Sequence, residues 1–264
     1  MILFDLDGTL LDSKYCILKQ TKKEIRQLSA LGVTIVLCSG RYPGMMKLYM
    51  SEIKANWMIA MNGAFIQSSD NQVLKESLID QKITDLILGI CNQYEIPYII
   101  QNDRDIYFSS DNPRSFMIQR YNELALLADL EHTVIQPLKI IPQRIHKIMI
   151  PTQDDRTKNL LFDIFKRHPI TVTSSSSNLL EITAESVNKG SALSYLAAVC
   201  GVGRAEICVF GDSKNDISMF QLAGHKIAMG NADIELKTLA DAVIGTNDEA
   251  SIAQVLARIR KGCL

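Results

Sequence analysis

The chain has 264 residues, 47% hydrophobic and 22% charged, with a formal net charge of -1. That is the make-up of a globular chain with ample material for a core, in one large domain or two smaller ones. The near-neutral balance speaks against non-specific nucleic-acid binding and against a polybasic membrane anchor. No apolar run approaches the ~18 residues of a membrane span. Six cysteines (Cys16, Cys38, Cys91, Cys200, Cys208, Cys263) are scattered without a CxxC pair. This is the usage of a reducing compartment, and no signal-like core precedes Asp5 and Asp7, so a cytoplasmic protein is expected.

Ile2-Leu3-Phe4 reads as a short buried strand that ends on Asp5-Leu6-Asp7-Gly8. A helix is predicted from Ser13 to Leu31, with Gly32 placed to stop it. Val33–Cys38 is a second buried strand ending on Ser39-Gly40-Arg41, and Pro43 suits the first turn of another helix. Trp57–Met61 is a third strand, and Asn62-Gly63 a tight hairpin-type turn. Strands alternating with helices imply a mostly parallel sheet covered on both faces.

The middle changes character. A helix over Asp80–Tyr94 is followed by strands at Pro97–Gln101 and Ile106–Ser109. A second helix, Gln153–His168, is followed by strands at Ile170–Thr173 and Leu179–Thr183. The same helix–strand–strand order thus occurs twice, with a helix from Pro113 and the strand Ile145–Ile150 between. An α+β domain over 80–185 is therefore expected, inserted between two parts of one α/β core, 1–79 and 186–264. After Glu185 the alternation returns, with a helix over Ser191–Cys200 and the strand Ile207–Phe210. Then come a helix from Asn215, strands at Lys226–Met229 and Ala242–Ile244, and a helix from Ala250.

The chemistry-bearing residues follow apolar strands or open helices: Asp5/Asp7, Ser39-Gly40-Arg41, Lys189-Gly190, and Gly211-Asp212-Ser213-Lys214-Asn215-Asp216. In an open α/β sheet, ligands bind beyond the carboxyl ends of the strands. Three carboxylates there (Asp5, Asp7, Asp212) repel one another unless a cation intervenes, and hard oxygen ligands suit Mg²⁺. Ser39, Lys189 and Asn215 can donate to phosphate oxygens, and Gly8 and Gly40 let backbone N–H groups approach the same anion. Taken singly, each cluster also reads as a turn or a helix cap. Together they point to phosphoryl transfer, where positioning and charge neutralisation dominate.

Those segments, in order, resemble the four motifs of the haloacid dehalogenase superfamily. The tract Leu180-Glu181-Ile182-Thr183 through Asn188-Lys189-Gly190 resembles its Cof-type phosphatase branch, as do Asn62-Gly63-Ala64 and Met229-Gly230-Asn231-Ala232. The resemblance covers nearly the whole chain. The tract Asn247-Asp248-Glu249-Ala250 departs from it by lacking the usual glycine.

The resemblance implies a Rossmann-like core with an inserted α+β cap, acting on a small phosphorylated metabolite. Asp5 is then the nucleophile, and Asp7 the general acid and later the base. Ser39, Gly40, Lys189 and Asn215 bind phosphate. Mg²⁺ is held by Asp5, the main-chain carbonyl of Asp7, and Asp212, with Asp216 in support. Two other readings stand beside this one: a phosphomutase-type transferase, and a non-catalytic sensor of a phosphorylated metabolite. Arg41, Tyr42 and Arg104 read first as surface or packing residues, with contact to a second anionic or ring group as the alternative, and the histidines (His132, His146, His168, His225) carry no metal spacing.

Overall fold

The computed structural model describes residues 1–109, 135–152, 154–176 and 179–262. The helix expected from Pro113 lies outside these residues, as does Gln153. The first strand, β1 (Ile2–Phe4), is fully buried, as its unbroken apolar run requires. The first helix, α1, spans Lys19–Ala30 and buries Thr21, Ile25 and Leu28, spaced to share one face. It starts later than Ser13, because the Asp12 carboxylate accepts the N–H groups of Lys14 and Cys16 at 2.9 and 2.8 Å. Tyr15 takes a positive φ of 58° inside that loop, a backbone conformation no helix accommodates.

Next come β2 (Ile35–Cys38), α2 (Gly44–Ile53) and β3 (Trp57–Ala60). A tight turn over Met61–Gly63 leads into β4 (Phe65–Ser68), which pairs antiparallel with β3. Beyond it β5 (Val73–Glu76) adds a further antiparallel strand. Neither β4 nor β5 is foreseen above, since Gln67, Ser68, Lys75 and Glu76 mask both runs.

A second sheet begins after α3 (Gln81–Gln93) with β6 (Ile99–Gln101) and β7 (Ile106–Phe108). It continues with β8 (Ile135–Pro137) and β9 (Lys147–Pro151). After α4 (Asp155–Phe165) come β10 (Ile170–Ser176) and β11 (Leu179–Ala184). Its strand order is β10-β11-β9-β6-β7-β8, so each helix–strand–strand unit contributes a hairpin, one on either side of β9. Even-numbered residues such as Ile100, Ile148 and Ile182 pack with Ile87, Leu88 and Leu161 of α3 and α4. Odd-numbered residues of β6, β9 and β11 line the opposite, odd face, and Ile106 and Phe108 of β7 join them because Phe108 stands beside Ile99. Asp80 caps α3 by accepting from the N–H groups of Lys82 and Ile83. Asp80→Ala is expected to cost about 1 kcal/mol of stability, read from the midpoint of urea unfolding.

The chain then returns to the first sheet through α5 (Lys189–Cys200) and β12 (Cys208–Gly211). A short α6 (Ile217–Phe220) and β13 (His225–Ala228) follow. The remaining elements are α7 (Ile234–Leu239), β14 (Ala242–Val243) and α8 (Ser251–Arg260). The eight-stranded order is β14-β13-β12-β1-β2-β3-β4-β5, parallel from β14 to β3. The expected mainly parallel α/β core with an inserted α+β cap is therefore the fold, the cap sheet being antiparallel except where β7 pairs with β8.

The odd face of the second sheet rests on the segment that opens α2. Tyr42 and Met45 pack with Ile99, Ile106, Phe108, Met149 and Leu179. The Tyr42 hydroxyl donates to the Arg104 carbonyl at 2.6 Å, so Tyr42 is a docking contact, within its reading as a packing residue.

Candidate active site

Strand register explains how residues 200 positions apart meet. Phe4 stands beside Leu37 on one flank and Phe210 on the other. One residue further along these parallel strands come Asp5, Cys38 and Gly211, and Ser39 and Asp212 follow the latter two at the carboxyl edge. Side chains leaving three adjacent strands at one edge share a crevice. Gly8 makes the first turn possible: its φ is 77°, and a Cβ there would run into the Asp212 carboxylate.

The centre is an ion cluster. Lys189 Nζ donates to Asp5 Oδ1 and to Asp216 Oδ1, each at 2.6 Å, and the Lys189 side chain is 1% exposed. Asp216 also accepts the Asp212 and Ser213 N–H groups, each at 3.0 Å. Thr9 Oγ1 donates to Asp212 Oδ1 at 2.7 Å. Single carboxylate oxygens of Asp5, Asp212 and Asp216 all lie within 4.8 Å of one another.

The electrostatics follow from this crowding. Burial pushes the Asp5 carboxyl well above its ordinary pKa; Lys189 opposes the rise, while Asp216 and Asp212 add to it. Burial, then Asp216, pushes Asp212 up to about 6. Burial works against the Lys189 charge, but Asp216 and Asp5 outweigh it and raise that pKa above its usual value. Three carboxylates thus face one ammonium, and the set has the oxygen chemistry and spacing to hold a small divalent cation.

The opposite wall carries hydrogen-bond donors. Ser39 is 2% exposed, and its Oγ accepts the Arg41 N–H at 3.1 Å. Asn215 Nδ2 donates to Asn62 Oδ1 at 3.3 Å, while Ser213 Oγ donates to Asn215 Oδ1 at 2.7 Å. Gly40 allows a close approach here, since a Cβ would stand 2.8 Å from Asn62 Oδ1. Asn62 holds its position with a φ of 58°, in the left-handed region that asparagine tolerates.

Asp7 stands apart from the three acids. Its carboxylate receives a two-pronged contact from Arg41, Nε at 2.8 Å and Nη2 at 2.6 Å. The Asp7 side chain remains 42% exposed, open to a ligand. Burial works against the Arg41 charge, but Asp7 outweighs it and keeps the guanidinium above its usual pKa. Arg41 is buried and packed over the Tyr15 and Tyr49 rings, within its packing reading, and it is also the partner of Asp7, a role not assigned above. Its position directly after Ser39-Gly40 was the available signal.

Two more residues were missed. Lys147 and Glu181, 1% and 4% exposed, form an ion pair on the odd face of the second sheet. Lys147 Nζ also donates to the Gly40 carbonyl at 2.9 Å, and Glu181 Oε2 accepts from Asn62 Nδ2 at 3.0 Å. Each is a single charge set in a largely apolar strand, which marks it as buried but does not show which neighbour it meets. Among the other residues singled out, Arg104 is exposed in the cap, where its guanidinium lies 3.8 Å from the Asp103 carboxylate.

An open parallel sheet with an acid cluster at its strand ends, and a second sheet set over them, defines a capped α/β enzyme. The chain belongs to the haloacid dehalogenase-like hydrolases, whose family model matches residues 2–256. It is a hydrolase of the phosphatase type within the Cof-type branch. It is 27% identical to the 5-amino-6-(5-phospho-D-ribitylamino)uracil phosphatase YwtE of Bacillus subtilis, over 99% of this chain and 98% of that one. To the phosphatase YwpJ of the same organism it is 28% identical, over 98% and 99%. The solved structure of TM0651 from Thermotoga maritima superposes with a TM-score of 0.82 at 27% identity, covering 97% and 96%.

Proposed function

We propose that the protein is a Mg²⁺-dependent phosphatase of small phosphorylated metabolites, sugar phosphates or similar, working through an aspartyl-phosphate on Asp5. The observation that carries this reading is the buried Asp5–Lys189–Asp216 cluster with Asp212 beside it, facing the donors of Ser39 and Asn215. The similarity to YwtE, named for a phosphorylated small molecule, supports the substrate class. The reading takes 80–185 as the cap and 1–79 with 186–264 as the core.

Asp5 Oδ attacks phosphorus, and the bond from phosphorus to the ester oxygen breaks. Asp7, placed two residues beyond Asp5, gives the leaving oxygen its proton. A water then attacks the phosphorus of the aspartyl-phosphate, Asp7 takes its proton, and the bond to Asp5 breaks to release inorganic phosphate. Ser39, the backbone at Gly40, Lys189 and Asn215 hold the transferring group by its oxygens. Mg²⁺ would be held by Asp5, the Asp7 main-chain carbonyl and Asp212, with Asp216 in support, and would supply charge neutralisation to the phosphoryl oxygens. The cap sheet over the crevice keeps bulk water from the intermediate.

Action in the cytoplasm is part of the same proposal, supported by the free thiols of all the described cysteines. Among the described residues no helix is long and apolar enough to cross a membrane.

The test is phosphate release from a panel of phosphorylated metabolites, with Mg²⁺ and with a chelator. Release that requires Mg²⁺ is the expected result. Release undiminished by the chelator would remove the metal from the reading. No release from any substrate would remove the phosphatase itself.

A further inference from the structure

The cap-side pair Lys147–Glu181 is buried beside the donors of the crevice, bonded to the Gly40 carbonyl and to Asn62. Its chemistry constrains them. Lys147 carries only donors and meets Glu181 through Oε1, which leaves Oε2 of the same carboxylate as the acceptor turned to Asn62. The Asn62 atom that Glu181 meets at 3.0 Å must therefore be the NH₂ group. Asn62 is then obliged to turn its oxygen toward Asn215, which leaves Asn215 to face it with NH₂, 3.3 Å away. Ser213 Oγ donates to the oxygen of that same Asn215 amide, which agrees with this order. One N–H of Asn215 is used by Asn62, and the other is left on the amine side of the group.

We propose that Glu181, seated from the cap, is a positioning residue: acting through Asn62 it fixes the orientation of the Asn215 amide, so that the phosphate site presents a donor only when the cap is docked. This rests on the reading of Asn215 as a phosphate-holding residue. It links cap and core without requiring any cap residue to touch the phosphoryl group. It also gives a reason for a buried ion pair in a place where two apolar residues would pack as well.

The distinguishing variant is Glu181→Gln, which keeps shape and volume. With Lys147 still present, the glutamine must give its oxygen to the ammonium and its NH₂ to Asn62, which inverts the whole chain of amides. The affinity for inorganic phosphate, measured calorimetrically in Mg²⁺, is expected to fall about tenfold. In Lys147→Met/Glu181→Gln the glutamine is released from the ammonium and can offer its oxygen to Asn62. There the affinity is expected to return to within about threefold of native. A purely structural ion pair would instead lower the unfolding midpoint of Glu181→Gln and leave the phosphate affinity of the folded protein native in both variants.

Asn62→Gly keeps the positive φ while removing the middle amide, and is expected to lose about tenfold on its own. It serves if Glu181→Gln does not fold. Native affinity in Glu181→Gln or in Asn62→Gly, or no recovery in the double variant, overturns the proposal. Phosphate release by native protein with unmoved phosphate affinity in the variants defeats the relay alone. Phosphate binding that follows the expected pattern without turnover of any ester defeats the phosphatase reading alone. No phosphate binding by native protein defeats both.

Discussion

Asp5→Asn is expected to lower phosphate release on the order of 10⁴-fold or more, while the metal-free protein melts no lower than native. The first half follows from the proposed covalent step: an amide has the shape of the carboxylate but neither its charge nor its nucleophilic oxygen. The second follows from crowding. Asp5 is 4% exposed and shares its oxygens' surroundings with Asp212 and Asp216, so neutralising it relieves repulsion. Lys189 keeps Asp216 as a partner at 2.6 Å. Steady-state rates and a melting curve in chelator, run side by side, check both halves. A loss of less than about tenfold would take the nucleophile away from Asp5.

Lys189→Met is expected to act oppositely on stability, costing about 3–5 kcal/mol in chelator at neutral pH, because it leaves three buried or half-buried carboxylates with no compensating charge. The sign of its pH dependence is fixed by the shifts already present. Asp5 and Asp212 have folded-state pKa values raised above the ordinary carboxylate value, Asp212 to about 6. The folded protein therefore binds more protons than the unfolded chain in that interval, and metal-free stability falls as pH rises through about 6. Without Lys189 the carboxyls rise further. The variant should regain stability relative to native between pH 7.5 and pH 5, measured by urea unfolding. A gap that stays constant across that range would show that the loss is one of packing and not of charge.

Much of this site was legible because its residues obey a local rule. Asp5, Ser39 and Asp212 each stand at or just past the end of an apolar run, and a parallel sheet places such ends side by side. Lys189 was legible for the opposite reason, as a cation at a helix start, where the dipole disfavours it. It lies there because Asp5 and Asp216 reverse the local balance. Lys147 and Glu181 were not legible, since a single charge inside an apolar strand carries no sign of which neighbour it meets. Their pairing depends on the register of β9 with β11, where Glu181 stands opposite Met149 and Thr183 opposite Lys147. The pairing of Arg41 with Asp7 was not legible because the two lie 34 positions apart. The late start of α1 was hidden in the Asp12 carboxylate, which competes for backbone N–H groups that a helix would otherwise use.

The placement of β1 has a consequence for how the chain is made. This strand lies in the middle of its sheet, with Ile2 paired to Ile35 on one side and to Cys208 on the other. At a synthesis rate of ~5–20 residues per second, the second partner emerges roughly 10–40 s after the first strand. During that interval one apolar edge of Ile2–Phe4 has no native neighbour, while β6, β7, β9, β10 and β11 are being made. The second sheet has all its strands before the first does. An apolar edge left open that long is a site for a holding chaperone.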